Sequence, residues 1–496
     1  MSVPIEAASV LIARSSGSDE VYFVGRAPNL RFMGGMIAFP GGKVHADDAR
    51  LARPGDGLST WHVCAVRELF EESGVLLARR EDGHLVEPRA AFDGWRRGLL
   101  DESRSFADIL AEGGLHLDPA DLRPAGHLVT PAFAPMRFDT AFFVAHMPPL
   151  QEPSVWPGEL THGFWDTAAN ALAKWRQGLL LLTPPTVSLL QVIEGRMVRD
   201  LPERLAPLLE RLDRGEMPPI WFGPGVLMVP LDCQGLPPTT HTNTLIVGTG
   251  PTYLIDPGPV DPVEQEKLFA VLADRRIDAI LLSHHHPDHV GAAAVCARRL
   301  GAPILAHRLT ADLLAGQVAV DRLIGDGEVF DLGEAPHGRG RWAMLAVFTP
   351  GHAPGHLAFY LPDYQLLLAG DMVSTLSSII ISPEDGDLAE YVRSLELLRR
   401  YPCRMLLPAH GGPTTRAAAV LGEAVAHRAL REGQLLDVLG DRPRSLDDLA
   451  AEMYRGFPPA TVKLGRMQLH AGLVKLERER RVVALGADRW QRVGSV

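Results

Sequence analysis

The feature that most restricts this chain is a histidine-rich segment that directly follows a short apolar run. The segment is Ser283-His284-His285-His286-Pro287-Asp288-His289, and the apolar run extends from Ala279 to Leu282. The run predicts a buried strand, and a loop at the end of a strand can direct several side chains to one point. Neutral imidazole and carboxylate groups are ligands that suit Zn²⁺ and similar ions. The segment therefore predicts a metal-binding loop between a strand and a helix.

Three later segments each place one further donor after an apolar run, with Gly or Pro shaping the turn. They are Thr349-Pro350-Gly351-His352, Gly370-Asp371 and Pro408-Ala409-His410-Gly411. His285 is interpreted as a solvated loop histidine, which leaves these candidate metal ligands: His284, His286, Asp288, His289, His352, Asp371 and His410. The set exceeds what one tetrahedral zinc ion needs, but it suits two adjacent ions that share a carboxylate and a water. A hydrolase with a dinuclear metal centre is therefore predicted.

On these segments, residues 226 to 413 resemble the metallo-β-lactamase superfamily. The resemblance implies an αββα sandwich with two Zn²⁺ ions, which activate a water for attack on a carbonyl or a phosphorus. It implies one ion on His284, His286 and His352, the other on Asp288, His289 and His410, and Asp371 as the bridge. It also implies that Asp256 orients the site and that Asp288 takes part in catalysis. His356 lies beside these segments and receives no role.

A second candidate site is an acidic helix near the start of the chain. Glu68, Glu71 and Glu72 fall at positions i, i+3 and i+4 of a predicted helix from Thr60 to Leu77, so they share one face. Three like charges repel one another unless a cation gathers them, and such hard oxygen ligands suit Mg²⁺ or Mn²⁺ bound to a diphosphate. A solvated acidic helix face is the alternative interpretation.

Residues Gly42 to Val75 resemble the Nudix box, although Asp48 stands where a Glu is usual and an insertion precedes Arg67. The insertion and the later segment Arg137-Phe138-Asp139-Thr140 resemble a subgroup of coenzyme A diphosphatases. The resemblance implies an α/β/α sandwich that hydrolyses a small-molecule nucleoside diphosphate linked to another moiety. The catalytic, metal-binding residues would be Glu68, Glu71 and Glu72, oriented by Arg67. A Nudix fold that only senses its ligand stays open.

The length of the chain and its pattern of apolar residues predict several domains of α/β and α+β type. The chain has 496 residues, and its 46% apolar content can fill more than one core. A Pro-rich patch from Pro202 to Pro219 separates two parts of the sequence that differ in their pattern of apolar residues. Beyond Thr415 the pattern is mostly that of helices. The expected domains are a Nudix-like domain at 1–215, a metallo-β-lactamase-fold domain at 222–415 and a winged helix at 420–496.

The tail predicts three helices, His427 to Leu439, Ser445 to Tyr454 and Ala460 to Arg480, before a β pair around Gly486-Ala487-Asp488. These are the parts of a winged helix. Together with Thr242-Asn243-Thr244-Leu245, the tail resembles the β-lactamase-like endoribonucleases, which implies single-stranded RNA as the substrate. The phosphate contacts would come from Lys463, Arg466, Lys475, Arg478, Arg480 and Arg481.

Other interpretations stay open. The tail could cover the catalytic domain or mediate a homodimer. The second domain could instead be a thioesterase that resembles hydroxyacylglutathione hydrolases, or the whole chain could be a Nudix and winged-helix sensor without turnover. The four cysteines form no Cys-x-x-Cys pair, so they are predicted to be buried thiols in a reducing compartment. The chain lacks a long apolar span, so it is expected to be cytoplasmic, without a membrane partner.

Overall fold

The computed structural model describes residues 3–15, 19–30, 32–131, 134, 136–486 and 488–493, so Ala487 of the predicted hairpin turn lies outside the described residues. The chain divides into two compact units. The first contains Met1–Pro224 and Pro336–Gly338, and the second contains Gly225–Ala335 and Arg339–Val496. The histidine-rich segment and the basic tail therefore belong to the same unit.

The first unit is built on a mixed sheet in the order β3-β2-β1-β8-β7, with β4 paired to β1 and β9 paired to β2. Strands β1 and β8 run parallel, from Ile5 opposite Phe138 to Ala13 opposite His146. The strands are β1 Ile5–Ser15, β2 Asp19–Arg26, β3 Ile37–Ala38, β4 Gly41–Lys43, β5 Arg79–Arg80, β6 Leu115–His116, β7 Arg123–Val129, β8 Phe138–His146, β9 Leu160–Thr167 and β10 Ile220–Gly223.

Both faces of this sheet are covered, which explains why β1 is continuously apolar in its middle. Val10 and Ile12 pack into one core, and Leu11 and Ala13 pack into another, because successive side chains of a strand point to opposite faces. Helix α2 lies in the first core and α6 in the second. The helices are α1 Asp48–Leu51, α2 Thr60–Ser73, α3 Phe92–Leu100, α4 Phe106–Gly113, α5 Ala168–Arg176, α6 Pro184–Val192 and α7 Leu201–Asp213.

Helix α2 begins and ends at identifiable caps. The Ser59 hydroxyl accepts a hydrogen bond from the backbone amide of His62, and Gly74 ends the helix at φ 74°, with its amide bonded to the Phe70 carbonyl. The predicted continuation of this helix to Leu77 is wrong. Gly74 adopts the left-handed conformation that terminates helices, and the apolar residues beyond it are buried in the core without helical structure.

Before the tail, the described part of the second unit contains two sheets. In the first sheet, strands β11 to β16 lie in chain order: β11, β12 and β13 pair antiparallel, and β13 to β16 pair parallel. The second sheet has the order β17-β18-β19-β20-β21. The strands are β11 Val226–Asp232, β12 His241–Val247, β13 Tyr253–Ile255, β14 Ala279–Leu282, β15 Ile304–His307, β16 Arg322–Ile324, β17 Val329–Glu334, β18 Arg341–Phe348, β19 Leu357–Leu361, β20 Leu366–Gly370 and β21 Met405–Pro408.

The two sheets contact each other through aromatic side chains, and helices pack on their outer faces. The Tyr253 and Phe330 rings, one from each sheet, have centroids 5.3 Å apart. Helix α12 buries Tyr391 and Leu395 against the second sheet. The helices are α8 Pro262–Leu272, α9 Pro287–Val290, α10 Ala293–Leu300, α11 Arg308–Leu313 and α12 Leu388–Leu398. This arrangement brings the ends of several strands to one edge of the unit.

The tail consists of three helices and a small antiparallel sheet in the order β22-β24-β23. Its elements are α13 Ala417–Leu439, β22 Arg444–Ser445, α14 Leu446–Met453, α15 Pro459–Arg478, β23 Val482–Ala484 and β24 Arg489–Arg492. Its own core includes Leu446, Leu473 and Trp490. The first helix begins ten residues before the predicted His427, because Ala417 and Leu421 already pack against the second sheet.

The tail is also packed on the two-sheet part of the unit. Ala471 of α15 lies in the same core cluster as residues of β19, β20 and α12. Arg428 of α13 donates a hydrogen bond to the Ile379 carbonyl and lies over the Tyr391 ring. The tail therefore packs against the second sheet and helix α12.

The four cysteines form no disulfide, and Cys64, Cys233 and Cys296 are buried. Cys403 is partly buried, in the connection that precedes β21, where it packs against the core of the second sheet. Among the described residues, no helix is long and apolar enough to cross a membrane.

Candidate functional site

The structure brings all seven predicted metal-ligand candidates of the second unit together. His284, His286, Asp288 and His289 lie in the connection from β14 to α10, while the other three follow the ends of β18, β20 and β21. Their ligand atoms form two groups, in each of which the atoms lie within 4.8 Å of one another. The groups are His284, His286, His352 and Asp371, and Asp288, His289 and His410.

Three imidazole nitrogens of the first group face one point. The Nδ1 atom of His286 lies 2.9 Å from Nε2 of His284 and 3.0 Å from Nε2 of His352. The Oδ2 atom of Asp371 lies 3.3 Å from the same His352 nitrogen. Three nitrogens and one oxygen around a common point form a donor set that suits a tetrahedral divalent ion.

Asp371 lies between the two groups. Its Oδ2 atom faces the first group, whereas its Oδ1 atom lies 3.2 Å from Nε2 of His410 and 3.6 Å from Nε2 of His289. Asp288 completes the second group, with Oδ2 3.4 Å from Nε2 of His410. A carboxylate whose two oxygens face two donor sets has the placement that a bridging ligand needs.

The other ring nitrogen of each inward-facing imidazole is held by an oxygen atom. His352 Nδ1 lies 3.0 Å from the Ile380 carbonyl, and His410 Nδ1 lies 2.9 Å from the His241 carbonyl. His289 Nδ1 lies 2.9 Å from Oδ2 of Asp256. Such partners fix the tautomer and leave the opposite nitrogen free to bind a metal.

Asp256 orients the loop through several hydrogen bonds, the role that the resemblance implied for it. Its Oδ1 accepts from the Ser283 amide at 2.7 Å, and its Oδ2 accepts from the Ser283 hydroxyl at 2.6 Å as well as facing His289. Asp256 itself has φ 51°, in the left-handed region that L-residues rarely adopt. Strained backbone of this kind is often found where function demands a side-chain position.

The electrostatics of the cluster favour a bound cation. Burial and the neighbouring imidazoles hold the pKa of His284 well below its usual value. Although burial alone would raise it, the pKa of Asp371 is held well below its usual value by His410 and His289. Against the effect of burial, Asp371 in turn raises the pKa values of His289 and His410, so the second group draws in positive charge that a bound cation would supply.

Two buried polar atoms test whether the residues present fit such an ion. His289 Nε2 and Asp371 Oδ1 are buried and have no hydrogen-bond partner among the described residues. Leaving a buried polar atom without a partner is costly, so native structures rarely do it. Both atoms face the second donor group, where a metal ion would coordinate them. The residues therefore fit a dinuclear centre.

Sequence reasoning left two supporting residues without a role. The buried imidazole of His356 accepts a hydrogen bond from the Asp371 amide at 3.0 Å, and its Nδ1 lies 2.8 Å from the Thr349 hydroxyl. A Cβ atom on Gly370 would lie 2.5 Å from His356 Nε2, so only glycine fits there. Asn243 donates to the Pro408 and Gly411 carbonyls and thereby holds the turn that carries His410.

His285, interpreted from the sequence as solvated, is largely buried. Its side chain is 16% exposed, and its Nε2 lies 3.2 Å from Oδ1 of Asp385, a residue that sequence reasoning did not single out. The other oxygen of Asp385 lies 2.6 Å from Nε2 of His286. No motif marks Asp385, because it lies in an irregular loop far along the chain from the histidines.

The acidic helix of the first unit forms a separate site around Arg67. The guanidinium group binds both oxygens of Asp48, at 2.8 and 2.9 Å, and donates to Glu68 at 2.9 Å and Glu71 at 3.1 Å. Arg67 and Asp48 are almost completely buried. The arginine therefore orients two of the three glutamates, as the resemblance implied, and Asp48 anchors the arginine.

The third glutamate, Glu72, accepts a hydrogen bond from the Gly41 amide at 2.9 Å. A Cβ atom on Gly42 would lie 2.5 Å from the Glu68 carboxylate, so the glycine turn is needed for close approach. All three glutamates line one cavity of about 940 Å³, whose wall also includes Arg26, Lys43 and Arg104. Acidic metal ligands beside basic side chains suit a metal-bound diphosphate.

The surroundings of the glutamates disfavour the ionised form of their carboxyl groups. Burial, opposed by Arg67 and reinforced by Glu71, raises the pKa of Glu68 to about 7. Burial also raises the pKa of Glu71, against the opposing effect of Arg67. A divalent cation at these carboxylates would stabilise their ionised forms, so the donor set fits an Mg²⁺-like ion.

Two protein-family models match the parts of the chain that carry the candidate sites. Residues 236–410 match the metallo-beta-lactamase superfamily, and residues 52–193 match the NUDT19 Nudix domain. The lactamase-like protein vrtG of Penicillium aethiopicum is 32% identical over 243 residues, which cover 48% of this chain and 67% of that protein. The chain belongs to the metallo-β-lactamase superfamily and also carries a Nudix domain. The predicted mixed α/β multidomain fold is thereby confirmed, and both families imply divalent metal ions.

Two further relatives come from Aspergillus fumigatus. The lactamase-like protein nscB is 34% identical over 205 residues, which cover 40% of this chain and 56% of that protein. An atrochrysone carboxyl ACP thioesterase is 29% identical over 248 residues, which cover 49% of this chain and 69% of that protein. The chain spans little more than half the length of the first of these relatives.

Solved structures resemble each part of the chain. A metallo-beta-lactamase family protein from Thermus thermophilus is 25% identical, with a TM-score of 0.46, and the match covers 54% of this chain and 99% of that one. A NUDIX hydrolase from Alicyclobacillus acidocaldarius is 30% identical, with a TM-score of 0.36, and the match covers 39% of this chain and 91% of that one.

Proposed function

We propose that the second unit is a thioesterase that depends on two Zn²⁺ ions. The observation that carries this proposal is the convergence of seven donor side chains into two groups that share Asp371. Five of the seven donors are imidazoles, which suit Zn²⁺ better than Mg²⁺ or Ca²⁺. Bound zinc would lower the pKa of a water and stabilise the negative charge that develops on an attacked carbonyl.

The side chains around the centre have separate tasks. The Asp256 carboxylate and the Ile380 and His241 carbonyls hold three imidazoles with the metal-binding nitrogen facing inwards. Asp288 lies at the edge of the second group, half-buried, where its carboxylate can bind an ion and accept a proton from the attacking water. Asp371 keeps the two donor groups at a fixed separation, and His356 holds the Asp371 backbone.

Two observations favour a thioester over single-stranded RNA. The relatives include acyl carrier protein thioesterases. Several tail cations that were expected to contact phosphates are instead paired with carboxylates within the unit: Arg466 with Asp447 and Asp488, Lys475 with Glu432 and Glu479, Arg478 with Asp387, and Arg481 with Glu432. Cations already neutralised by acidic partners contribute less to phosphate binding.

The test compares both substrate classes on the full-length chain. Wild type and His286→Ala are loaded with Zn²⁺, and hydrolysis of acyl pantetheine thioesters is measured beside cleavage of a labelled single-stranded RNA. We expect about two bound zinc ions and thioester hydrolysis that the variant loses. RNA cleavage that depends on His286, with no thioester turnover, would replace the thioesterase proposal by the endoribonuclease one.

For the first unit we propose Mg²⁺- or Mn²⁺-dependent hydrolysis of a nucleoside diphosphate linked to another moiety. The supporting observation is the cavity that three glutamates, held by Arg67 and the Gly41 amide, line together with basic side chains. The assay measures release of a phosphate-containing product from coenzyme A and from nucleoside diphosphate sugars with each metal. Binding without turnover would make the unit a sensor.

A further inference from the structure

His286 is the one imidazole of the cluster that turns its Nδ1 atom, rather than its Nε2 atom, towards the other donors. A neutral imidazole that binds a metal through Nδ1 must carry its proton on Nε2. That proton needs an acceptor, and the Oδ2 atom of Asp385 lies 2.6 Å away. The Oδ1 atom of the same carboxylate lies 3.2 Å from Nε2 of His285. Asp385 thus binds two consecutive histidines of the metal-binding loop.

The loop that carries Asp385 is fixed at both sides of this residue. The backbone amides of Asp385 and Gly386 bond to the Ser382 carbonyl. The Asp387 amide donates to the Gly351 carbonyl at 2.8 Å, next to the candidate ligand His352. Asp387 also caps helix α12 by accepting bonds from the Ala389 and Glu390 amides. The carboxylate of Asp385 is therefore presented by a loop with little freedom to move.

The tail helices hold the first part of the same loop. Gln468 of α15 donates to the Ile381 carbonyl at 3.3 Å, and Arg428 of α13 donates to the Ile379 carbonyl. Between these two carbonyls lies Ile380, whose own carbonyl bonds to Nδ1 of His352. The loop from 379 to 387 thus connects the tail to the outer nitrogens of two candidate ligands, His286 and His352.

We propose that Asp385 is a positioning residue for the metal centre, which fixes His286 with Nδ1 towards the first ion. This inference rests on the proposed metal binding at His286 but not on the identity of the substrate. A carboxylate in this position also makes the imidazole a more basic ligand. An ion held jointly by His285, His286 and Asp385 is the alternative arrangement, and it would require His286 to bind metal through both ring nitrogens.

The test measures metal affinity, so it does not depend on activity. Zinc binding to full-length wild type, Asp385→Ala, Asp385→Asn and Glu384→Ala is determined by competition with a chelator, and Co²⁺-loaded samples give absorption spectra. Glu384→Ala is the matched control, because this neighbouring carboxylate is exposed and accepts hydrogen bonds from the Ser382 hydroxyl and from its own backbone.

We expect Asp385→Ala to weaken binding of one ion by about 10- to 100-fold and to alter the Co²⁺ spectrum. Asp385→Asn should recover most of the affinity, since its amide oxygen still accepts the Nε2 proton, and Glu384→Ala should match wild type. Unchanged affinity in Asp385→Ala would overturn the inference alone. Three ions in wild type and two in Asp385→Ala would make Asp385 a ligand instead. No bound metal in wild type would overturn the proposed function together with the inference.

Discussion

The pH dependence of stability in the first unit follows from Glu68. Its pKa rises from 4.5 to about 7 in the folded protein, mainly through burial. A group with a raised folded-state pKa stabilises the fold below its unfolded pKa, and this contribution is lost as the pH rises through the folded pKa. At about 1.4 kcal/mol for each tenfold change in proton affinity, the ionised carboxylate costs about 3 kcal/mol above pH 7. Glu68→Gln cannot ionise, so it should remove this cost.

The assay is thermal unfolding of the full-length chain at pH 5.5 and pH 8, with EDTA or with Mg²⁺. For a unit of this size, about 3 kcal/mol corresponds to a change in Tm of roughly 6–12 °C. The unfolding transition to compare is the one that shifts when Mg²⁺ is added. In EDTA at pH 8, this transition should occur at a higher temperature in Glu68→Gln than in wild type. At pH 5.5, one unit above the unfolded-state pKa of 4.5, about 1.4 kcal/mol of this cost is already present, so the difference should fall to less than half of its value at pH 8. Mg²⁺ should stabilise wild type at pH 8 more than the variant.

Glu81→Gln serves as the control, because Glu81 is an exposed glutamate of the same unit. Its transition should coincide with that of wild type at both pH values. If Glu68→Gln and wild type show the same dependence on pH in EDTA, the buried charge of Glu68 is not the source of the instability, and the argument fails.

Three further outcomes are expected. His286→Ala should reduce thioester hydrolysis by more than about 100-fold, since the loss of a metal ligand weakens metal binding at least as much as the loss of a group that hydrogen-bonds to a ligand. Diphosphate hydrolysis should stay unchanged, and loss of both activities would mean that the sites are not independent. Glu71→Gln should abolish Mg²⁺-dependent diphosphate hydrolysis and spare thioester hydrolysis, as judged by parallel assays. Gly42→Ala should destabilise the first unit by about 1–3 kcal/mol in calorimetry, because the new Cβ would lie 2.5 Å from a Glu68 carboxylate that Arg67 holds in place; an unshifted transition would show that this carboxylate moves aside freely.

The sequence alone predicted much of the second unit because local pattern determines strand ends. The apolar run from Ala279 to Leu282 predicted β14 with the observed limits, and the donors follow the ends of buried strands. Strands β18, β20 and β21 run in the same direction within one sheet, so the donors that follow their ends converge although they are distant in sequence. The i, i+3 and i+4 spacing of the glutamates likewise required only helical geometry.

Only the tertiary structure decided which groups hold those donors in place. The backbone carbonyls of His241 and Ile380 orient two imidazoles, but every residue has a backbone carbonyl, so the residue types do not indicate which ones take this role. Asp385 lies 99 residues from His286, in a loop without a regular pattern. The pairing of the tail cations was equally hidden, because charge composition does not specify partners. The sequence determined the chemistry of the donors through local periodicity, whereas long-range packing determined their orientation and the electrostatic role of the tail.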